Sequence, residues 1–264
     1  MQREQRQRRE RRTVGGIKQL PWRNHRNPYK PIEVLTEEQL ERVHDASMRI
    51  LEEFGIEFLD DESRAFAVQH GAEAVPDTQR VRFDRNLVME LIGKAPSSFT
   101  LHARNPARNL TFGGNHVNFG SVASAPNVSD LDRGRRPGTL EDYNNLLRLV
   151  QSLNAVQFIG GYPVEPADIP PATRHLDAHY GAITLTDRIW HPYSLGRERI
   201  LDAVEMICIA RGIDKAQLKR EPSLFSIVNS NSPLRLDVPM LRGLTAMAEH
   251  GQPVVLTPFT LSGA

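Results

Sequence analysis

Several residues in this sequence have types and spacings that could do chemistry. His175 and His179 stand four apart in His175-Leu176-Asp177-Ala178-His179, a spacing that puts both imidazoles on one face of a helix and could ligate zinc. The acidic residue falls at the third place, as Asp177, where the metalloprotease motif has Glu at the second. The pair therefore reads as a helix face, and no metal is expected. Cys208 lies inside the apolar segment Val204 to Ala210. Without a basic neighbour to lower its pKa it reads as a small core residue, not a nucleophile. His191 closes the run Ile189-Trp190 and is the candidate catalytic group, as a polar lining residue or proton carrier. Tyr162, Tyr193, Asn229, Asn231 and Phe259 also follow short apolar runs, where side chains gather at the end of a sheet.

Those positions depend on the elements that carry them. From Thr139 onward the sequence alternates helix and strand: a helix capped by Thr139, a strand at 156–159, a helix at 172–186, a strand at 188–192, a helix at 195–211, a strand at 223–229, a helix at 237–249 and a strand at 253–257. The strand centres recur at roughly 30 residues, the length of a βαβ unit. Gly160-Gly161-Tyr162-Pro163 lacks the G-x-G-x-x-G of a dinucleotide site, which favours a (β/α)8 TIM-barrel type over an open doubly wound sheet. Only about half of the roughly 250 residues such a barrel needs follow Thr139. The expectation is an α/β fold, a barrel truncated to about its first four strands, with an N-terminal α+β extension.

That extension, 31–138, opens with the capping box Thr36-Glu37-Glu38-Gln39 and a helix at 37–54 stopped by Gly55. A helix from Asp61, a strand at 81–83 and a helix capped by Asp84 come next. Strands at 99–102 and 109–112 follow, the latter turning at Gly113-Gly114-Asn115 back into 116–119. Residues 126–138 read as a loop, and 139–264 as the barrel half.

Charge is uneven. Residues 1–30 hold ten Lys/Arg against Glu4 and Glu10, a basic arm expected to be solvated and partly disordered. Such an arm could bind nucleic acid through counterion release, but no nucleic-acid motif accompanies it and nucleic acid is not the expected partner. One cysteine among 264 residues excludes an internal disulfide. No apolar run reaches the ~18 residues of a membrane helix. Arginines stand where a signal peptide would be apolar, so the expected location is cytoplasmic.

Asn27-Pro28, Val34 to Leu40 (VLTEEQL), Ile50 to Ile56 (ILEEFGI), Arg135 to Thr139 (RRPGT) and Pro253 to Ala264 (PVVLTPFTLSGA), in this order, resemble the trimethylamine methyltransferase family. The resemblance runs from about Asn27 to Ala264. It implies a (β/α)8 barrel that moves a methyl group from trimethylamine, or from a quaternary amine such as glycine betaine, to the cobalt of a corrinoid carried by a separate protein. It implies a corrinoid protein as partner and no cofactor bound directly. A quaternary ammonium has no hydrogen-bond donor, so Tyr162, Tyr193 and Phe259 become candidates for an aromatic cage. Asn229 and Asn231 would orient a substrate carboxylate or a loop. The rival expectations are a non-catalytic barrel fragment, a nucleic-acid-binding protein using the arm, and an unrelated barrel enzyme such as a lyase or hydrolase. Half a barrel exposes edge strands, which makes a homo-oligomer an expectation to test.

Overall fold

The computed structural model describes residues 18–231 and 234–258. In chain order these form β1 (His25–Arg26), α1 (Glu37–Arg49), β2 (Ile56–Phe58), α2 (Asp61–Gln69), β3 (Glu73–Ala74), β4 (Arg80–Arg82), α3 (Arg85–Gly93), β5 (Ser98–Leu101), β6 (Leu110–Gly113) and β7 (His116–Val117). Then come β8 (Asn127–Asp130), β9 (Gly134–Pro137), α4 (Leu140–Ser152), β10 (Phe158–Ile159), α5 (Arg174–Leu185), β11 (Ile189–Trp190), α6 (Arg197–Arg211), α7 (Lys215–Arg220), β12 (Ser226–Ser230), β13 (Arg235–Leu236), α8 (Val238–Glu249) and β14 (Val254–Pro258).

The helix starts follow from local chemistry. Thr36 Oγ1 accepts the Gln39 N–H at 3.3 Å while the Thr36 N–H donates to Gln39 Oε1 at 2.9 Å, so two otherwise orphaned donors are satisfied. Thr139 and Asp142 repeat the arrangement at α4. The helix expected over 37–54 is divided: after α1 the backbone widens into a π turn at Ile50–Phe54, closed by the Gly55 N–H on Ile50 O at 2.8 Å, with Gly55 at φ 71°.

Between the extension and α4 the structure departs from the sequence reading. Residues 126–138 are not a loop: β8 and β9 pair antiparallel from Asn127 opposite Pro137 to Asp130 opposite Gly134. The hairpin is held by ion pairs, since Arg136 reaches both Asp130 and Asp142 in the first turn of α4. β6 pairs with β5, but β7 pairs with β1, inside the segment expected to be a free arm. Gln19 donates to Ser152 O at 2.8 Å, and Gln157 donates to Arg23 O at 2.8 Å. Residues from Gln19 onward are thus fastened to the body; the arm's first 17 residues lie outside the described residues.

The second half builds one parallel ladder. Gly120 bridges Phe158 in parallel, β10 pairs with β11 in parallel, Trp190 bridges Leu224 in parallel, and β12 pairs with β14 in parallel over five residues. Five chain segments therefore lie side by side in sequence order, all pointing the same way. The fold is α/β, and among the described residues the sheet does not close on itself. β14 is its exposed edge, with Val255 and Leu256 in solvent.

Alternation along the strands sorts side chains onto two faces. Ile159, Trp190 and Leu224 face the helices and join Tyr143, Leu147, Ile200, Val204 and Met247 in the larger core. Phe158, Ile189, Phe225 and Ile227 face the other way and pack on Phe99, Leu101, Leu110 and Phe112 of the β5–β6 hairpin, with Trp22 beside them. The hairpin thus fills the lower part of the sheet's inner face, and the strands' C-terminal ends rise above it. No helix among the described residues is long and apolar enough to cross a membrane.

Candidate active site at the strand ends

On the inner face, above the Phe158 and Phe225 layer, the first polar side chain is His191, one residue past β11. Its ring stacks on Phe225 with centroids 5.3 Å apart and planes 20° apart. His191 Nδ1 lies 3.0 Å from the Gly160 carbonyl, and Nε2 accepts the Ile227 N–H at 3.0 Å. A carbonyl only accepts and an amide only donates, so the proton is assigned to Nδ1. Burial holds the His191 pKa down to about 4, against a smaller upward pull from the Gly160 hydrogen bond. At neutral pH the ring is an uncharged brace joining the ends of β10 and β11 to β12. Neither nitrogen is free, so carrying a proton would require breaking one of these bonds.

Tyr193 sits against His191, ring centroids 4.9 Å apart, and edge-on to Tyr162 at 4.5 Å. Its hydroxyl accepts the Tyr162 N–H at 3.0 Å and meets Ser124 Oγ at 2.6 Å. A Cβ on Gly161 would come within 2.6 Å of that hydroxyl, and φ at Gly161 is 145°, so only glycine fits between the two tyrosines. Burial raises both phenol pKa values and keeps both neutral. The expected pair is therefore brought together, but its members differ. Tyr162 is buried in the helix-side core against Tyr143, ring centroids 5.7 Å apart; Tyr193 is only partly covered.

Asn229 and Asn231 separate as well. Asn229, two residues beyond Ile227 on β12, shares the inner face. Its register partner on β14 is Thr257, as Val255 is that of Ile227. Sequence reasoning missed Thr257; the signal available was that strands of equal phase put it beside Asn229. Asn231 is exposed, and its backbone is bonded to that of Arg235 at 2.6 and 3.0 Å. Phe259 lies outside the described residues.

The remaining candidates are helix-packing groups. His175 Nε2 is 2.8 Å from Asp202 Oδ2 of α6. His179 lies against Trp190 at 4.5 Å between ring centroids, with its pKa held down to about 3, chiefly by burial and secondarily by His175. Among the described residues no group of three His, Cys, Asp or Glu could hold a metal ion. Cys208 is buried, and burial raises its pKa, so it stays a thiol.

The strand ends thus offer an uncharged histidine, a partly covered tyrosine face, an amide and a hydroxyl. Such a set can bind a small cation by its aromatic face and a carboxylate by neutral donors.

A family model described as trimethylamine methyltransferase (MTTB) matches residues 1–264. The glycine betaine methyltransferase of Desulfitobacterium hafniense (strain Y51) is 37% identical over 231 residues, covering 88% of this chain and 48% of that protein. The trimethylamine methyltransferase MttB of Desulfitobacterium hafniense (strain DSM 10664 / DCB-2) is 25% identical over 232 residues, 87% of this chain and 46% of that protein. Trimethylamine methyltransferase MttB1 of Methanosarcina mazei is 22% identical over 237 residues, 88% and 48%. The chain spans about half the length of the curated relatives it matches.

Proposed function

Since the chain belongs to the trimethylamine methyltransferase family, we propose that it forms part of a methyltransferase taking a methyl group from a quaternary amine of the glycine betaine type and passing it to a corrinoid protein. The observation that carries the choice of amine is the 37% identity to a glycine betaine methyltransferase, against 25% for the trimethylamine methyltransferase MttB of the same species. The parallel order of five segments supports reading the sheet as the opening half of a (β/α)8 barrel. On that reading the barrel begins at Phe119–Ser121, within the extension, and not at Thr139. The fastened part of the basic segment belongs to the barrel's lower wall.

The site suits such a substrate. Tyr193 offers its ring to the trimethylammonium group, a contact worth on the order of 0.5–2 kcal/mol. Asn229 and Thr257, adjacent by register, supply the donors for the carboxylate. His191 holds the strand ends at fixed spacing, so the amine meets a preformed surface. The corrinoid on the partner protein supplies the cobalt nucleophile that receives the methyl group. The uncharged groups described here fit that chemistry, in which this chain positions and desolvates the amine and moves no proton.

A second reading, a fragment with no activity by itself, is favoured by the exposed Val255 and Leu256 on the edge strand β14. Methyl transfer to a cobalamin-bearing partner, followed by visible absorption, separates the two. The 264-residue chain is assayed alone and then with a complementing C-terminal half. Transfer from glycine betaine in the complemented mixture supports the proposal, and transfer only there supports the fragment reading of the isolated chain. No transfer in either mixture, with a folded complex demonstrated, contradicts the proposed activity.

A further inference from the structure

The segment from Asn27 to Phe54 stands away from both cores. Residues 27–36 are exposed throughout, and α1 follows with Met48 as its only buried residue. A helix of 13 residues is only marginally stable by itself in water. It needs a surface to pack on.

The orientation of α1 is the reverse of an ordinary surface helix, which turns its apolar stripe inward and its charges to solvent. Asp45 pairs with Arg85 of α3 at 2.9 Å, and Glu52 in the following π turn pairs with the same guanidinium at 2.8 Å. The charged side therefore faces the body of the chain. Leu40, Val43, Ile50 and Phe54 recur at helical spacing on the other side and are exposed, Val43 and Phe54 each at 58%. In the residues before α1, Ile32 and Val34 are exposed at 90% and 85%. Contiguous apolar surface of this kind marks an interaction site.

The anchors of the segment locate what it faces. At its start β1 pairs with β7, and His25 packs edge-on against Phe119, beside the first member of the parallel ladder. At its end Glu57 pairs with Arg235 of β13, and Asp60 pairs at 2.9 Å with Arg242 of α8, the helix that leads into β14. The segment is thus strung between the first and last members of the open sheet, the two that further strands would join.

We propose that the outward face of α1, with the exposed residues before it, docks onto the C-terminal half of the same barrel. This rests on the reading of the sheet as an opening half barrel. The chain spans 48% of the glycine betaine methyltransferase of Desulfitobacterium hafniense (strain Y51), so on that reading a similar length of chain follows β14 and starts beside α8, where the segment is anchored. A second copy of the chain has no need to meet both edges of one sheet.

The test is hydrogen exchange on the 264-residue chain, alone and coexpressed with the C-terminal half of that relative. The α1 amides are expected to exchange at least about tenfold more slowly in the assembled pair. Leu40→Glu with Val43→Glu should cut the affinity for the C-terminal half by about tenfold or more, while the melting temperature of the chain alone stays that of the parent, because both side chains are exposed there. A pair that assembles with α1 exchanging as it does in the chain alone overturns the docking and leaves the half-barrel reading standing; no assembly at all contradicts both. Protection of α1 in the chain alone that vanishes on dilution assigns the face to a second copy, and also overturns the proposal.

Discussion

The Ile227 N–H donates to His191 Nε2 at 3.0 Å, and this one bond ties the end of β11 to the middle of β12 on the face where the candidate site lies. With Nδ1 on Gly160 O at 3.0 Å, the ring ties the ends of β10 and β11 to β12. The bond requires a bare Nε2, so protonating His191 breaks it.

Acid stability follows from that requirement. The His191 pKa is held down to about 4 in the folded chain and returns to an ordinary value of about 6.5 on unfolding. Below about 6.5 the unfolded chain binds the proton that the folded chain refuses. Its contribution is therefore present in full above that pH, is lost as pH falls toward about 4, and amounts to roughly 3 kcal/mol. His179, held down to about 3, loses stability over the same window and slightly below it. Urea unfolding at pH 7 and pH 5 should show the decline. His191→Phe should cost about 2–4 kcal/mol at pH 7 by leaving two backbone groups unpaired, and should flatten the pH dependence. An unchanged slope in that variant would count against the lowered His191 pKa.

The β8–β9 hairpin depends on Asp142. This buried carboxylate takes Arg136 and the Thr139 hydroxyl, which holds its pKa well below the usual carboxylate range. Its contribution is present above an ordinary Asp pKa and is lost only in strong acid. Asp142→Asn should destabilise by about 2–4 kcal/mol at neutral pH, since it leaves Arg136 half-buried with one weakened partner. Thr139→Ala, which removes the cap, should cost about 1 kcal/mol. Equal losses in the two variants would mean that the ion pair adds nothing to the cap.

Edge exposure predicts association. Val255 and Leu256 lie on the outer strand of an open sheet, the arrangement that pairs with other chains. Light scattering should show the 264-residue chain associating, and Val255→Lys with Leu256→Glu should shift it toward monomer. A parent chain that stays monomeric at high concentration contradicts this.

The site residues should separate binding from folding. In the complemented enzyme, Asn229→Ala and Thr257→Val are each expected to raise KM for glycine betaine about tenfold, as loss of one neutral donor implies, with little change in melting temperature. Tyr193→Phe keeps the ring and should leave KM nearly unchanged, while losing about 1 kcal/mol of stability with the Ser124 and Tyr162 bonds. A melting loss in the Asn229 variant as large as that of a core truncation would mark it as a packing residue.

Long-range order was readable where local chemistry and periodicity agree. Thr36, Asp84 and Thr139 begin helices in the sequence and in the structure alike, and the alternation after Thr139 announced parallel strands. The failures have physical causes. Residues 126–138 carry Arg133, Arg135 and Arg136 in place of alternating apolar side chains, so a hairpin held by Asp130 and Asp142 looked like a loop. The pairing of β13 with β2 joins residues about 180 positions apart through two-residue contacts, which leave no local signal. Tyr162 and Tyr193 do meet, ring centroids 4.5 Å apart, but how deeply each is buried was not legible, because an aromatic residue after a strand can turn to either face. At Tyr162 the Tyr143 edge and the helix-side core decided it.

The sharpest test is competition between the two amines. The complemented enzyme, its corrinoid partner and equal concentrations of glycine betaine and trimethylamine, each with a distinguishable methyl label, are followed by mass spectrometry of the methylated corrinoid. The label is expected to come overwhelmingly from glycine betaine. A label drawn mainly from trimethylamine would contradict glycine betaine as the substrate.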